Sequence, residues 1–305
     1  EFGGFLLETR SKGDTFEGNS VGFPVLAIPF FNSTTGAPGS YIISFPGINT
    51  GSATVEAETR AWGAEANAVY NAFGGPGGGG GLQFLCGARY FELEERFSLN
   101  TTSTTFGVPP ALAGNVFFPG GGGVFAGTDF SGFAPFTVST SDEVRTFNEF
   151  YGAQIGFRGD ACYGKWTLGI MGKAAAGINR QRVDLLGSST LVGAGTTNTQ
   201  QGGILNTAPD ICRVRKDRFA ILPEGNINLG YNITNSCRIN VGYNFLYINR
   251  VARPLAITTP PNLNLTQVPT SPTFGAASPG APQRDLLNDT DFYLHGFNFG
   301  LQLSF

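Results

Sequence analysis

The most constraining feature of this sequence is a strict alternation of apolar and polar residues, which is clearest at the end of the chain. Side chains of a β-strand point alternately to opposite faces, so such a segment predicts a strand with one apolar face. The predicted outward, apolar row is Phe297, Phe299, Leu301, Leu303 and Phe305. The predicted inward row is Asn298, Gly300, Gln302 and Ser304.

The same alternation recurs along the rest of the chain and predicts eight strands in all. Most of these segments are about ten residues long, which is the length that a tilted strand needs to cross a bilayer. The predicted strands lie near residues 4–10, 62–70, 82–90, 151–158, 167–179, 221–231, 238–247 and 297–305.

Short and long connections alternate between these strands. The short connections are residues 71–81, 159–164 and 232–236, and the long ones are 11–53, 99–143, 181–217 and 251–290. Outer-membrane barrels have short periplasmic turns and long external loops. The chain is therefore predicted to be all-β and to fold as one domain, residues 1–305. That domain is an antiparallel, up-and-down transmembrane β-barrel of eight strands.

Composition separates this prediction from other classes of protein. Charged residues make up 13% of the chain, about half of the usual share of roughly 25%. No apolar run reaches the length of about 20 residues that a transmembrane helix needs. A secreted, Gly-rich β-sandwich is the alternative, but it gives no reason for short and long loops to alternate. Outer-membrane lipids and the barrel-assembly machinery, which reads a last strand ending on an aromatic residue, are the expected partners.

Residues with the opposite parity to the apolar rows are predicted to face the lumen, and they carry both signs of charge. Eight to ten strands enclose a narrow interior that side chains largely fill. Glu65 or Glu224 is therefore expected within salt-bridge distance of a base. A plug of paired charges and a narrow path for ions or solutes both remain open. The predicted lumen residues are Glu65, Arg89, Gln154, Arg158, Lys173, Glu224, Asn226, Asn228, Arg238, Asn240 and Asn244.

The sequence offers little support for catalysis, metal binding or nucleic-acid binding. His295 is the only histidine, and its parity places it among the lipid-facing residues, away from any general acid–base role. The four cysteines lack the spacing of a zinc site, and no basic cluster suggests nucleic acid. We expect no enzyme activity and no cofactor. If any disulfide forms, Cys162–Cys237 is the only pair that the topology readily allows.

Several segments resemble a known family, the β-barrel porin family seven of planctomycete bacteria. The resemblance implies a Gram-negative outer-membrane protein and supplies no catalytic or binding residues. Members of that family usually carry a further opening hairpin, which would raise the strand number to ten. The segments that carry the resemblance are residues 26–31, 85–97, 147–154, 218–224, 242–247, 251–254 and 296–301.

Two functions follow from these expectations. The first is a porin-like outer-membrane barrel with a narrow, largely plugged lumen. The alternative is a structural or surface scaffold protein that associates laterally, as a homo-oligomer or with other envelope proteins, through its external loops. The apolar, Gly-rich segment 117–136 either folds over the barrel mouth or contacts another protomer. The sequence does not separate these alternatives.

Overall fold

A computed structural model describes residues 1–74, 80–107, 115–120, 124–129, 134–193, 195–234, 236–258, 261–277 and 286–303. Within these ranges, helix is limited to α1 (Pro254–Thr258) and two 3-10 turns at Ala208–Asp210 and Leu265–Gln267. The strands are β1 (Phe2–Glu17), β2 (Leu26–Asn32), β3 (Ala37–Ser44), β4 (Asn49–Phe73), β5 (Gly80–Thr105), β6 (Asn115–Phe117), β7 (Val124–Phe125), β8 (Thr128–Asp129), β9 (Phe136–Tyr163), β10 (Trp166–Gly193), β11 (Thr196–Gln201), β12 (Arg213–Thr234), β13 (Cys237–Val251), β14 (Asn262–Leu263) and β15 (Thr290–Leu303).

One large sheet dominates the molecule. Its strands follow the order β1-β4-β5-β9-β10-β12-β13-β15, and β11 pairs with β10 outside this path. Each neighbouring pair on the path is antiparallel. Strands β9 and β10 pair over their whole lengths, from Phe136 opposite Gly193 to Tyr163 opposite Trp166. The predicted all-β, antiparallel architecture is confirmed, and the described residues of each predicted strand lie within one strand of the path.

The sheet curls into a half-barrel. Strands β4 and β10 are separated by two other strands, yet the Lys173 Nζ and Glu65 Oε1 atoms lie 2.6 Å apart. A flat sheet would hold the backbones of these two strands about 14 Å apart, because neighbouring strands are spaced by about 4.8 Å. Within the residues that the structure describes, no ladder joins β1 to β15. The sheet is therefore open along these two edges, and the predicted closed barrel is not observed.

An apolar band covers the outer face of the curled sheet. On β10 the band runs from Trp166 to Ile178, twelve residue steps, which is about 40 Å along a strand and about 30 Å for a strand tilted by about 40°. This height matches the hydrocarbon core of a bilayer. Exposed members of the band are Phe84, Ile155, Phe157, Leu168, Ile170, Ile178, Phe219, Ile221, Ile227, Leu229, Ile239, Val241, Phe245, Phe297, Phe299 and Leu301.

The alternation reverses its phase above this band. On β5, Phe84 and Tyr90 lie on the outer face, whereas Phe91 and Leu93 point inward and are fully buried. Glu92 takes the outer position between them. Apolar residues thus face outward within the band and inward beyond it. The upper half of each long strand has the pattern of a water-soluble sheet with its own core.

The long connections contain far more strand than the sequence predicted. Residues 99–105 and 136–143 belong to β5 and β9 and not to a loop, and residues 181–193 extend β10. These extensions are rich in Thr and Ser, which pair across the strands: the Thr101 and Thr140 hydroxyls lie 2.7 Å apart. Threonine favours strands, and such cross-strand pairs stabilise a sheet. The prediction of strands about ten residues long was therefore wrong for the longest ones.

A second sheet lies against the inner face of the upper strands. We call it the cap; it contains β14-β2-β3-β6 in that order. Tyr41 and Ile43 of the cap are buried in one cluster with Leu99 on the inner face of β5. Phe117 packs edge-on against Tyr41, with 5.1 Å between ring centroids. The described phenylalanines of the apolar segment 117–136, which are Phe117, Phe118, Phe125 and Phe136, are therefore buried within their own chain.

Candidate functional site

Five polar side chains meet on the inner face at the level of the apolar band. Arg89 and Lys173 each lie 2.6 Å from a carboxylate oxygen of Glu65. Glu224 contacts the same two bases, at 2.6 Å from Arg89 and 3.5 Å from Lys173. The Gln154 amide donates a hydrogen bond of 3.0 Å to Glu65. We call these five residues the ionic cluster.

The strand register places this cluster. Glu65 stands opposite Arg89 on the β4–β5 ladder, and Lys173 stands opposite Glu224 on the β10–β12 ladder. Strand β9 lies between the two halves and contributes Gly156 beside Lys173. A Cβ atom at Gly156 would come within 2.7 Å of the Lys173 Cγ atom. Because Gly156 has no side chain, the side chain of Lys173 has room to cross towards Glu65.

The cluster is buried and internally neutral. The side chains of Arg89, Lys173 and Glu65 are 4%, 6% and 9% exposed, and that of Glu224 is 21% exposed. Two bases balance two acids, which reduces the large cost of removing charges from water. Four charges connect strands β4, β5, β10 and β12, so the cluster ties together distant parts of the curled sheet.

An apolar layer fills the interior directly above the ionic cluster. Phe91 is fully buried. Its ring lies 6.1 Å from that of Phe5 on β1 and 6.3 Å from that of Phe292 on β15. One side chain of β5 thus reaches residues on both open edges. This layer was not among the predicted features, and its signal in the sequence is the reversed alternation beyond Tyr90. Its buried members are Ala61, Phe91, Leu93, Phe150, Ala175, Ala220, Leu222, Leu246, Ile248, Val251 and Phe292.

The chain that follows β13 packs into the interior above the apolar layer. The Asn148 side chain donates to the Ala252 carbonyl at 2.9 Å and accepts from the Ala252 amide at 2.8 Å. Arg253 forms a two-point pair with Glu95, with distances of 2.9 and 2.7 Å. The hydrogen bond with Glu95 raises the pKa of the Arg253 guanidinium. The Arg250 carbonyl accepts hydrogen bonds of 2.8 Å from both Asn179 and Gln181, so these contacts together fix residues 250–253 against the inner wall.

The other predicted lumen residues form a separate, more hydrated row near the short turns. Arg158 pairs with Glu1 at 2.6 Å, and the Arg238 Nε donates to Asn232 at 2.6 Å. Asn226 donates to Asn244 and accepts from Asn228, and Asn240 stands opposite Gly300. The structure thus brings together Glu65, Arg89, Gln154, Lys173 and Glu224, and it leaves Arg158, Asn226, Asn228, Arg238, Asn240 and Asn244 outside the cluster.

The last strand carries its apolar row on the outer face. Phe297, Phe299 and Leu301 are 73%, 79% and 65% exposed. The side chain of Leu303 and all of Ser304 and Phe305 lie outside the described residues.

The predicted candidate disulfide, Cys162–Cys237, is not formed. Cys162 and Cys237 are both free, as are Cys86 and Cys212. Cys162 stands opposite Thr167, and that register continues through β12 to β13, so the two cysteines are three strand spacings apart. This corresponds to about 14 Å, well beyond the Cα separation of about 7 Å that a disulfide tolerates.

His295 is exposed on the outer face between two tyrosines, with ring centroids 6.0 Å from Tyr243 and 6.1 Å from Tyr293. In the part of the chain that the structure describes, no three His, Cys, Asp or Glu residues are grouped so that they could hold a metal ion. No helix there is long and apolar enough to cross a membrane.

A curled antiparallel sheet, an apolar outer band and a polar inner face at the level of that band together define the class of porin-like β-sheet proteins. A family model described as Putative beta barrel porin-7 matches residues 1–118 and 127–305. The chain belongs to that family. No curated protein and no solved structure matches it.

Proposed function

We propose that this protein is an outer-membrane β-barrel whose interior is too constricted for general diffusion of nutrients. The apolar outer band, about 30 Å high by strand geometry, supports placement in a bilayer. Membership of a β-barrel porin family supports the same placement.

The filled interior is the observation that carries the proposal of a narrow lumen. The ionic cluster spans from β4 to β12, and the apolar layer above it reaches from β1 to β15. The cap and residues 250–253 occupy the inner face higher still. Water-filled general porins use about 16–18 strands, whereas eight strands make up this path.

The open edges require partners in a membrane. Backbone groups without hydrogen bonds cost several kcal/mol each in lipid, so membrane sheets close into barrels. We propose that β1 and β15 become joined in the assembled barrel, either directly or through the opening hairpin that the family resemblance implies.

Planar-bilayer recordings test the narrow lumen. Purified wild-type protein is expected to show no large, persistently open conductance, because the buried layers leave no wide water path. Replacing Phe292 by Ala on the edge strand removes part of the apolar layer and should raise the conductance. The matched control, Phe299→Ala, removes the same side chain from the outer face and should leave the conductance unchanged. Open steps of general-porin size in the wild-type protein would refute the proposal.

The native thiols test the membrane placement. Cys86 lies on the outer face of β5 within the apolar band, whereas Cys162 lies beside the β9–β10 turn, and both are exposed in the chain itself. In lipid vesicles, a charged maleimide should therefore label a variant whose only cysteine is Cys162 and spare one whose only cysteine is Cys86. Both should react fully after denaturation. Equal labelling of the two in vesicles would contradict the placement.

The rate at which the Cys212 thiol is labelled provides a third, independent measurement. Burial raises the pKa of the Cys212 thiol, and the carboxylates of Asp210 and Asp184 raise it further. A raised pKa lowers the thiolate fraction at neutral pH, and the thiolate is the reactive form. Labelling of Cys212 should therefore be slower than that of Cys162 and should accelerate as the pH rises.

A further inference from the structure

A groove of about 550 Å³ lies on the outer face of β9, β10 and β12. Arg180 and Arg182 line it from β10, and Arg215 lines it from β12. We call it the arginine groove. It lies on the opposite side of the wall from the ionic cluster, so it is separate from the interior described above.

The arginines of this groove are poorly neutralised. Arg182 stands directly opposite Arg215 in the β10–β12 register, an arrangement that is unfavourable for like charges. Arg180 and Arg215 form no ion pair with any residue that the structure describes. The Asp184 carboxylate lies 3.6 Å from Arg182 but only 2.7 Å from Arg213, which therefore takes the stronger share of it.

Two acids also border the groove. Glu149 and Asp217 stand opposite Arg180 in the registers of β9 and β12. The next outward-facing residue of β10 is Arg182. It stands opposite Arg215 on β12 and Phe147 on β9, so no carboxylate stands opposite the Arg182–Arg215 pair. An anion seated between these two guanidinium groups would remove their repulsion, and a guanidinium suits phosphate through paired hydrogen bonds.

The groove sits immediately beyond the apolar band. Ile178 and Phe219, opposite each other, end the band on β10 and β12, and Arg180 is the next outward residue on β10. The Arg182 guanidinium lies 3.7 Å from the centre of the Phe147 ring, and that of Arg180 lies 5.5 Å from the Tyr151 ring. Tyrosine is enriched at the level where lipid tails meet headgroups, which fits the position of Tyr151 beside Arg180.

We infer that the arginine groove binds the phosphate groups of a phosphorylated lipid in the outer leaflet. The inference rests on the membrane placement in the proposed function. The basic surface is confined to the outer face of β9, β10 and β12. The outer face of β4 and β5, at the corresponding height, is acidic. The residues of that acidic face are Glu56, Glu58, Glu92 and Glu94, with Arg60 and Arg96 among them.

The test measures binding of the purified full chain to phosphatidylcholine vesicles with and without a minor fraction of diphosphoryl lipid A. The variant R180Q/R182Q/R215Q removes the groove charges. The control R10Q/K12Q/R60Q removes three exposed charges from β1 and β4. Wild type and control should prefer the phosphorylated vesicles, and the groove variant should lose at least about tenfold of that preference. Circular dichroism checks that each variant is folded.

Three results would overturn the inference. The first is an equal preference for phosphorylated vesicles in the groove variant and the wild type, and the second is equal binding of wild type to dephosphorylated and diphosphoryl lipid A. The third is displacement of the protein by inorganic phosphate alone, which would indicate a free-phosphate site. If the groove variant fails to fold, the dephosphorylated lipid and inorganic phosphate on wild type still decide the question. Protein that inserts into both kinds of vesicle without preference defeats only this inference. Protein that inserts into neither defeats the proposed membrane placement itself.

Discussion

Replacing Glu65 by Gln should lower the free energy of unfolding by about 3 kcal/mol, because removing one partner of a buried ionic network leaves uncompensated charge. Glu65 contacts both Arg89 and Lys173, and all three side chains are less than a tenth exposed. Glutamine keeps the shape of the side chain while removing the charge, so the loss reports on electrostatics and not on packing. Urea unfolding of protein folded in lipid vesicles measures the change.

Glu58→Gln is the matched control. Glu58 lies 3.7 Å from Arg96, with both side chains about one third exposed, and exposed pairs contribute at most about 1 kcal/mol. A double-mutant cycle with Lys173→Met isolates the interaction between Glu65 and Lys173. The double variant Glu65→Gln/Lys173→Met should lose less free energy of unfolding than the sum of the losses in the two single variants. Additive losses, or a Glu65→Gln loss no larger than that of Glu58→Gln, would show that the cluster does not hold the sheet together.

Replacing Phe91 by Ala should cost about 3–5 kcal/mol, the usual range for deleting a buried aromatic ring. Phe91 is fully buried and contacts Phe5 and Phe292, so its loss leaves a cavity between the two open edges of the sheet. Phe91→Leu retains more volume and should cost clearly less. The same unfolding experiment gives both values.

Phe106→Ala serves as the control for Phe91, because Phe106 follows the upper end of β5 and is 42% exposed. Its truncation should change stability by less than about 1 kcal/mol, as for most exposed positions. A small loss at Phe91, similar to that at Phe106, would mean that the apolar layer is not a packed core.

Alternation predicted the position of every strand on the sheet path. It did so because one face of each strand carries apolar side chains at several successive alternate positions. The predicted row that includes Glu65, Arg89 and Gln154 came from the same parity, and these residues meet in the structure. Parity assigns a face without requiring any knowledge of the neighbouring strand. Which inward residues share one level depends on the register between strands, and the sequence does not contain that information in readable form.

The upper strands were missed for a different reason. Beyond Tyr90 the apolar row changes face, so a search for continued outward alternation stops there. Threonine-rich stretches such as 99–105 also resemble polar loops by composition, although threonine favours strands. Alternation of the opposite phase continues along β5 beyond Tyr90, and it marks Phe91 and Leu93 as core residues.

The unbroken β9–β10 ladder determines how far the molecule extends beyond the apolar band. Fifteen residue steps separate Tyr151, at the top of the apolar band, from Phe136 at the far end of β9. They correspond to about 50 Å of strand, or a height of about 40 Å at the tilt of a barrel strand. Placed in a membrane as proposed, this rigid wall would hold the cap well clear of the lipid. An antibody, a phage or a neighbouring cell would then meet the cap first, while the barrel wall stayed hidden below it.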